Sequence, residues 1–286
     1  VPQVITVPRR QTTAYDTDAQ ARIAAFEAAD GQSLETATKD AINQLVLAIK
    51  AASAWDIAAQ LLLPCGPRSL AGALVPLKGP APTNGTGSAG PSQFTSGNYN
   101  RKNGLGDASN TAKFLQSNLL SSSVGIYSHA LSAYGNIKNT GTGCLIGQYS
   151  ASGLNVIDLF DYVDVPSYAV GRMFRSGSSS HIPIYNLIVV NSSAATASVI
   201  GSRTSESNAS IYTDSASSTN TQTIPVYTPT RQFYIFAVND NGTPNLFSQS
   251  VLQFTGIFSQ GLSAGQVAAL RSAVATYVAA IAAAIE

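Results

Sequence analysis

The sequence predicts a mainly β chain: an antiparallel two-sheet jelly-roll sandwich, with a helical hairpin before it and one helix closing it. Three observations predict this. From Ala112 to Phe258, short apolar runs alternate with Gly, Ser, Asn and Pro, the rhythm of strands joined by turns. Residues 18–54 instead carry apolar side chains at helical spacing. Beyond Phe258 stands one cleanly specified helix.

Residues 1–17, VPQVITVPRRQTTAYDT, hold two prolines and no helical period, and read as an extended arm. The segment 18–29, DAQARIAAFEAA, reads as a helix that Asp30-Gly31 breaks. Ser33 is placed to cap a second helix through about Ala54, with Glu35 in its first turn. Its apolar face collects Leu34, Ile42, Leu45, Val46 and Ile49, and Trp55, the only tryptophan, stands at its end. Such a hairpin either packs on its own domain or mediates contacts between subunits; the sequence leaves both open. The expected division is an arm at 1–17, a helical attachment region at 18–60 and the sandwich with its closing helix at 61–286.

Residues 64–110 are rich in Pro, Gly, Asn and Ser. They read as long loops and short strands outside the β core, anchored by Phe94, Tyr99 and Leu105. Nine strand candidates follow: SVGIYSHALSAY, CLIGQYS, NVIDLFDYVDV, IPIYNLIVV, TASVIGS, SIYTD, TQTIPVYT, RQFYIFAV and LFSQSVLQFTGIF. The run Arg231–Val238 is apolar on both faces and belongs centrally, with a tight turn after it at Asn241-Gly242. In the closing helix Ser263 and Gln266 have the spacing of a capping box, and Leu262 and Val267 that of a hydrophobic staple. Val267, Leu270, Val274, Tyr277, Val278 and Ile281 then form one apolar stripe, opposite a face of mostly Ala and Ser.

Of 286 residues, 44% are hydrophobic, enough for a real core, and only 11% are charged, well under the usual quarter. Such a surface suits a protein that buries much of its exterior against neighbours or lives outside cells. A net charge of +1, with no basic cluster beyond Arg9-Arg10 and Arg101-Lys102, gives no footprint for nucleic acid. No uninterrupted run of 18 apolar residues occurs, so no membrane insertion is expected. The chain starts at Val1 without the basic and apolar regions of a signal peptide, which reads as a removed initiator or a processed or partial start. Two cysteines, Cys65 and Cys144, are too few for a disulfide framework; a single bridge is open, and free buried thiols are the plainer reading.

Motifs that carry chemistry are scarce. His129 and His181 have no metal-binding spacing, no nucleophile elbow occurs, and the Gly-rich stretch 84–90 lacks the Lys-Ser/Thr of a phosphate loop. Asp158, Asp161 and Asp164 cluster in NVIDLFDYVDV, which brings glycoside hydrolysis or, with Asp240, calcium into consideration. Strand-edge and turn carboxylates are the plainer reading. No catalytic, metal or cofactor residue is therefore assigned, and the chain is expected not to be an enzyme. Asn98, Tyr99, Asn100, Tyr149, Tyr212 and Asn239 are the aromatic and amide residues that sugar-binding loops use, and stand as glycan-binding candidates.

Several stretches carry a family resemblance: DAQARIAAFEAADGQSLETATKDAINQLVLAIK leading to Trp55, PCGPRSLAGALVPLKGPAPTN, NYNRKNGLGDASNTAKFLQSN, FYIFAVNDNG and GIFSQGLSAGQVAALRSAVATYV. In these the chain resembles bacteriophage virion proteins, common in phages of cyanobacteria and aquatic bacteria, that carry a concanavalin-like, laminin-G-like jelly roll. The likeness covers roughly residues 18–280 and is most specific at 96–118 and in the closing helix. Residues 120–230 match only in strand rhythm, and the family's charged run is thinner here. The resemblance implies a structural protein on the virion surface: a capsid decoration, a collar or tail component, or a fibre. It implies assembly in the host cytoplasm, contacts with other virion proteins through the N-terminal region, a homo-oligomer, and no catalytic residues. The alternative expectation is a carbohydrate-binding adhesin at a fibre tip that meets a host surface glycan.

Overall fold

The structure, a computed structural model, describes residues 14–85, 93–107, 112–138, 143–150, 155–163, 171–178, 187–189, 196–221, 223 and 230–285. The expected arm therefore lies outside the described residues up to position 13, as do His181 and Asp164. The described chain opens with α1 (Thr17–Asp30) and α2 (Thr36–Ala51), then β1 (Ala58–Leu62), α3 (Leu70–Ala73), β2 (Pro76–Lys78), β3 (Thr83–Asn84), β4 (Tyr99–Asn100) and β5 (Gly104–Gly106). The long strands follow: β6 (Leu115–Leu120), β7 (His129–Ile137), β8 (Gly143–Ser150), β9 (Asn155–Val163), β10 (Gly171–Ser178), β11 (Leu187–Val189), β12 (Thr196–Ser205) and β13 (Asn208–Thr213). The last elements are β14 (Ser217–Asn220), β15 (Gln232–Ile235), β16 (Val238–Asp240), β17 (Thr243–Asn245), β18 (Val251–Phe258) and α4 (Ala264–Ala284). Strand is 40% against 28% helix, so the chain is mainly β.

Two nine-stranded sheets form. The first runs β14-β13-β12-β7-β18-β1-β2, with β5 beside β18 and β4 beside β5. The second runs β11-β10-β9-β8-β15-β6-β3, with β16 and β17 attached through β8. Strand pairs are antiparallel except β16 on β8. Leu131, Val199, Ile211 and Ile257 of the first sheet meet Ile157, Leu159, Phe174 and Phe233 of the second in one buried interior. The sheets approach closely: a Cβ added at Gly201 would lie 2.2 Å from a ring carbon of Phe174, so only glycine fits there.

Alternation along the first sheet places a second apolar set on its outer face. Ala130, Ile200 and Phe258 are sequence neighbours of interior residues, yet they pack with the helices. There they join Ile23 and Phe26 of α1, Ile42 and Ile49 of α2, and Leu270 and Tyr277 of α4. The helical hairpin thus packs on its own domain, the plainer of the two expectations. The closing helix is as read: Ser263 Oγ accepts from the Gln266 backbone N–H, Gln266 Oε1 accepts from the Ser263 N–H at 2.9 Å, and Leu262 and Val267 are both buried. Tyr277 Oη donates to the Cys65 carbonyl at 2.9 Å, pinning α4 to the chain that leaves β1. By length and a mean hydropathy of 1.7, α4 is long and apolar enough to cross a membrane, although no uninterrupted apolar run suggests it. Here its stripe is taken up by the sheet and by α2.

Three expectations are corrected. Glu35, not Ser33, stands at the α2 N-cap, because Ser33 gives its carbonyl to Arg68 Nε at 2.7 Å and the backbone stays extended through Glu35. The run 231–238 is not one strand. It breaks at Phe236, where φ is +67° while the ring is buried beside Phe94 and the backbone bonds Leu145 and Ser248. That turn aims β16 parallel to β8 and leads to the expected Asn241-Gly242 tip, both residues at positive φ. Strands β1, β6, β10, β14 and β17 lie outside the nine candidates. Of the candidates, 182–190 is described only at Leu187–Val189, and 221–228 lies almost wholly outside the described residues. Both cysteines are free and buried: Cys65 lies in the helix-side core, and Cys144 is on the second sheet.

Candidate functional site

A groove of about 850 Å³ lies between α2 and α4. The helices run antiparallel, since Gln266 at the start of α4 donates to the carbonyl of Ser53, just past α2. Their facing ridges are small: Ala37, Ala41 and Ala48 on α2, and Ala269, Ala273 and Ala280 on α4. Each buries its long side chains downward into the core, which leaves alanines to wall the groove. Asp40 is its one carboxylate, and Tyr15 Oη donates to it at 2.7 Å. No Lys or Arg lines the groove. Sequence reasoning recorded the Ala and Ser face of α4 but not the groove, because the matching alanines of α2 lie more than 200 residues away.

The second sheet carries the other notable cluster on its outer face. Asp158 is wholly buried and accepts from Arg175 Nε at 3.0 Å and Nη2 at 2.6 Å. The guanidinium lies 4.9 Å from the ring centroids of both Tyr149 and Phe160, and it also donates to Tyr149 Oη. Burial pushes the Asp158 carboxyl up and the Arg175 guanidinium down to about 10, and the two groups are in direct contact. Nearby, Asp161 Oδ2 accepts from Ser248 Oγ at 2.5 Å and Ser250 Oγ at 3.0 Å. Of the three aspartates read as a cluster, Asp158 and Asp161 are therefore engaged structurally. Among the described residues no three His, Cys, Asp or Glu converge as metal ligands. His129 is buried in β7 and donates from Nδ1 to the Gly125 carbonyl at 2.7 Å; burial pushes its pKa down to about 4.

The six glycan candidates fall in three places. Asn98 caps a 3₁₀ turn, Tyr99 donates to the Pro67 carbonyl at 2.5 Å, and Asn100 accepts from Lys102 and Asn103 N–H groups. Tyr149 and Asn239 lie on neighbouring strands of the second sheet. Asn239 is buried, donating to the Gln232 carbonyl and accepting from Gly242. Tyr212, on β13, is half-buried against the helical layer. These residues do not converge on one surface; most of their polar atoms are spent on local turns.

No family model and no curated protein matches the chain. Solved structures similar to it include the NanB sialidase from Streptococcus pneumoniae (TM-score 0.38, 16% identity), with 50% of this chain and 24% of that one covered. A Trypanosoma rangeli sialidase mutant displaying trans-sialidase activity gives a TM-score of 0.42 at 15% identity, over 82% of this chain and 39% of that one. The CBM40 of the Ruminococcus gnavus IT-sialidase bound to α2,3 sialyllactose gives 0.37 at 10%, over 52% and 84%. The chain thus spans about a quarter of the first sialidases it is similar to. Because enzymes stand among these structures, the expectation that the chain is not an enzyme is corrected and withdrawn. At these TM-scores no activity is carried over from them.

Proposed function

We propose that the chain is a structural component of the surface of a bacteriophage particle: a capsid decoration, a collar or tail component, or a fibre. In this reading the sandwich is wired as a concanavalin-like jelly roll and faces out, while the N-terminal region attaches to the particle. The observation that carries it is the open groove between α2 and α4, apolar and alanine-walled, whose α2 wall lies in the region expected to attach. An apolar concavity left open in a chain with only 11% charged residues fits a surface built to be covered by a neighbour. The sequence resemblance to virion proteins supplies the kind of neighbour.

Labelling intact particles with an antibody against the chain, beside mass spectrometry of purified particles, tests the reading. Surface label and stoichiometric peptides are the expected result; absence from purified particles overturns it. Deleting residues 1–13 is expected to leave the domain folded and to weaken incorporation, and unchanged incorporation contradicts an attaching arm. The cut stops before Tyr15 and Asp16 because Asp16 caps α1 and pairs with Lys50 at 2.7 Å.

A further inference from the structure

We propose that the α2/α4 face docks a second copy of this chain about a two-fold axis, with Leu47 of each copy seated in the alanine-walled groove of the other. This deepens the proposed role and rests on the α2/α4 groove being a covered surface in the particle.

Three features select that occupant. Leu47 is one of only three large hydrophobic residues exposed among the described residues, at 42%, and it stands on α2, the helix that walls the groove. Leu47 does not line the groove but stands three residues from Gln44 and four from Ala51, which do, so knob and hole adjoin, as an isologous interface requires: each copy gives what it receives. A foreign helix laid in the groove would cover the alanines and leave Leu47 in water, whereas a second copy covers both.

Charge is the second feature. The groove lining holds no Lys or Arg and one carboxylate, Asp40, which accepts from Tyr15, so Asp40 and its copy are the only like charges that the lining brings to a two-fold contact. Area is the third. At ~1.5 Å per residue α2 and α4 are about 24 and 31 Å long, and two packed helices present a face roughly 20 Å wide. That is about 500 Å² on each side and about 1,000 Å² in total, at the lower limit of a specific pair. The small ridges let the helices of the two copies approach to close-packing distance, giving a four-helix layer between two outward-facing sandwiches.

The test is the mass of the full chain across a concentration series, by sedimentation or light scattering, for the parent, Leu47→Asp and Thr276→Arg. Thr276 is exposed and lines the α4 side of the groove. Thermal melts of each variant check folding, and particle incorporation is followed in parallel. A parent dimer that both folded variants lose, with dissociation constants raised at least tenfold, is expected. A parent that is monomeric throughout, a trimer, or a dimer unmoved by either variant overturns the proposal. So does a dimer lost on deleting residues 1–13 but kept in Leu47→Asp, which makes the arm the occupant. If both variants abolish a dimer while the parent is absent from particles, the virion reading fails and the dimer stands. If incorporation is lost while the dimer persists, the reverse holds.

Discussion

The two sheets cover their outer faces in opposite ways. Behind the first sheet, α1, α2 and α4 build a second apolar core, and every charge is pushed to its rim: Lys50 pairs with Asp16 and Asp18, and Glu35 with Arg68 and Arg101. Among the described residues no helix packs on the second sheet; the outer face buries charge, with Asp158 wholly enclosed against Arg175 between two rings. An apolar layer tolerates small losses gradually, because each side chain contributes its own buried area. A buried ion pair fails at once when one partner goes, because the other charge stays in low dielectric.

The largest expected effect follows from that contrast. Asp158→Ala should destabilise by about 3–5 kcal/mol, through the uncompensated Arg175. Replacing both partners, Asp158→Leu with Arg175→Met, should recover most of the loss. Denaturant midpoints of the three variants check this. A double variant no better than Asp158→Ala would mean that the pair is not the unit of stability on this face.

Next comes Leu270→Ala in α4, whose side chain is 1% exposed in the helix-side core. Its cost should be about 2–5 kcal/mol, and no second substitution should rescue it, because a cavity rather than a charge is left. If Leu270→Ala melts like the parent, α4 is not part of the core and the apolar-layer half of the comparison fails.

Acid separates the interior between the sheets from the helical layer by pH window. His129, whose ring lies against Phe174 of the second sheet, has its pKa pushed by burial from 6.5 down to about 4. The unfolded chain therefore binds this proton first. The contribution is full above about pH 6.5 and is lost as pH falls toward 4. Glu35, on the helical side, is held at about 2 against 4.5 by its hydrogen bond to Arg101. Its contribution is present above about pH 4.5 and lost toward 2. Urea midpoints of His129→Gln should accordingly lose their pH dependence between 6.5 and 4, and those of Glu35→Gln only below 4.5. The same slope in both variants across both windows would refute the assignment.

What was legible in the sequence divides along the same line. The helical layer announces itself because the 3.6-residue period, the Ser263–Gln266 box and the Leu262–Val267 staple are local signals. Of the first sheet's strands, β7, β12, β13 and β18 are legible too, although LFSQSVLQFTGIF starts as a strand only at Val251, whereas β1 and β14 were missed. The second sheet's outer face was not legible. Asp158 and Arg175 alternate with Ile157, Leu159 and Phe174, so a period-2 reading sends them to solvent, and only the fold encloses them. The break at Phe236 was equally hidden, because an aromatic at positive φ has no sequence signature. The groove was half legible: alanines on α4 and alanines on α2 are each readable, but not that they face each other.

The smallest effects lie where α4 meets solvent, and they sharpen the comparison by showing how little its rim contributes. Ser263→Ala removes the cap that receives the Gln266 N–H, and should cost about 0.5–2 kcal/mol. Arg271→Ala should cost less, about 0–1 kcal/mol, although Arg271 is not idle: its Nη2 lies 3.3 Å from Asp214 Oδ1, tying α4 to the turn after β13. The reason is on the acid's side. Asp214 already accepts from the Ala197 N–H at 2.5 Å and from Ser198 Oγ at 2.8 Å, so losing the guanidinium leaves its carboxylate bonded. The reverse substitution is not equivalent. Asp214→Ala strips those bonds from β12 as well, and should cost more than Arg271→Ala in the same melt. Equal losses in the two variants would mean that the ion pair itself holds the helix down, and that the rim of the apolar layer depends on charge as the second sheet's outer face does.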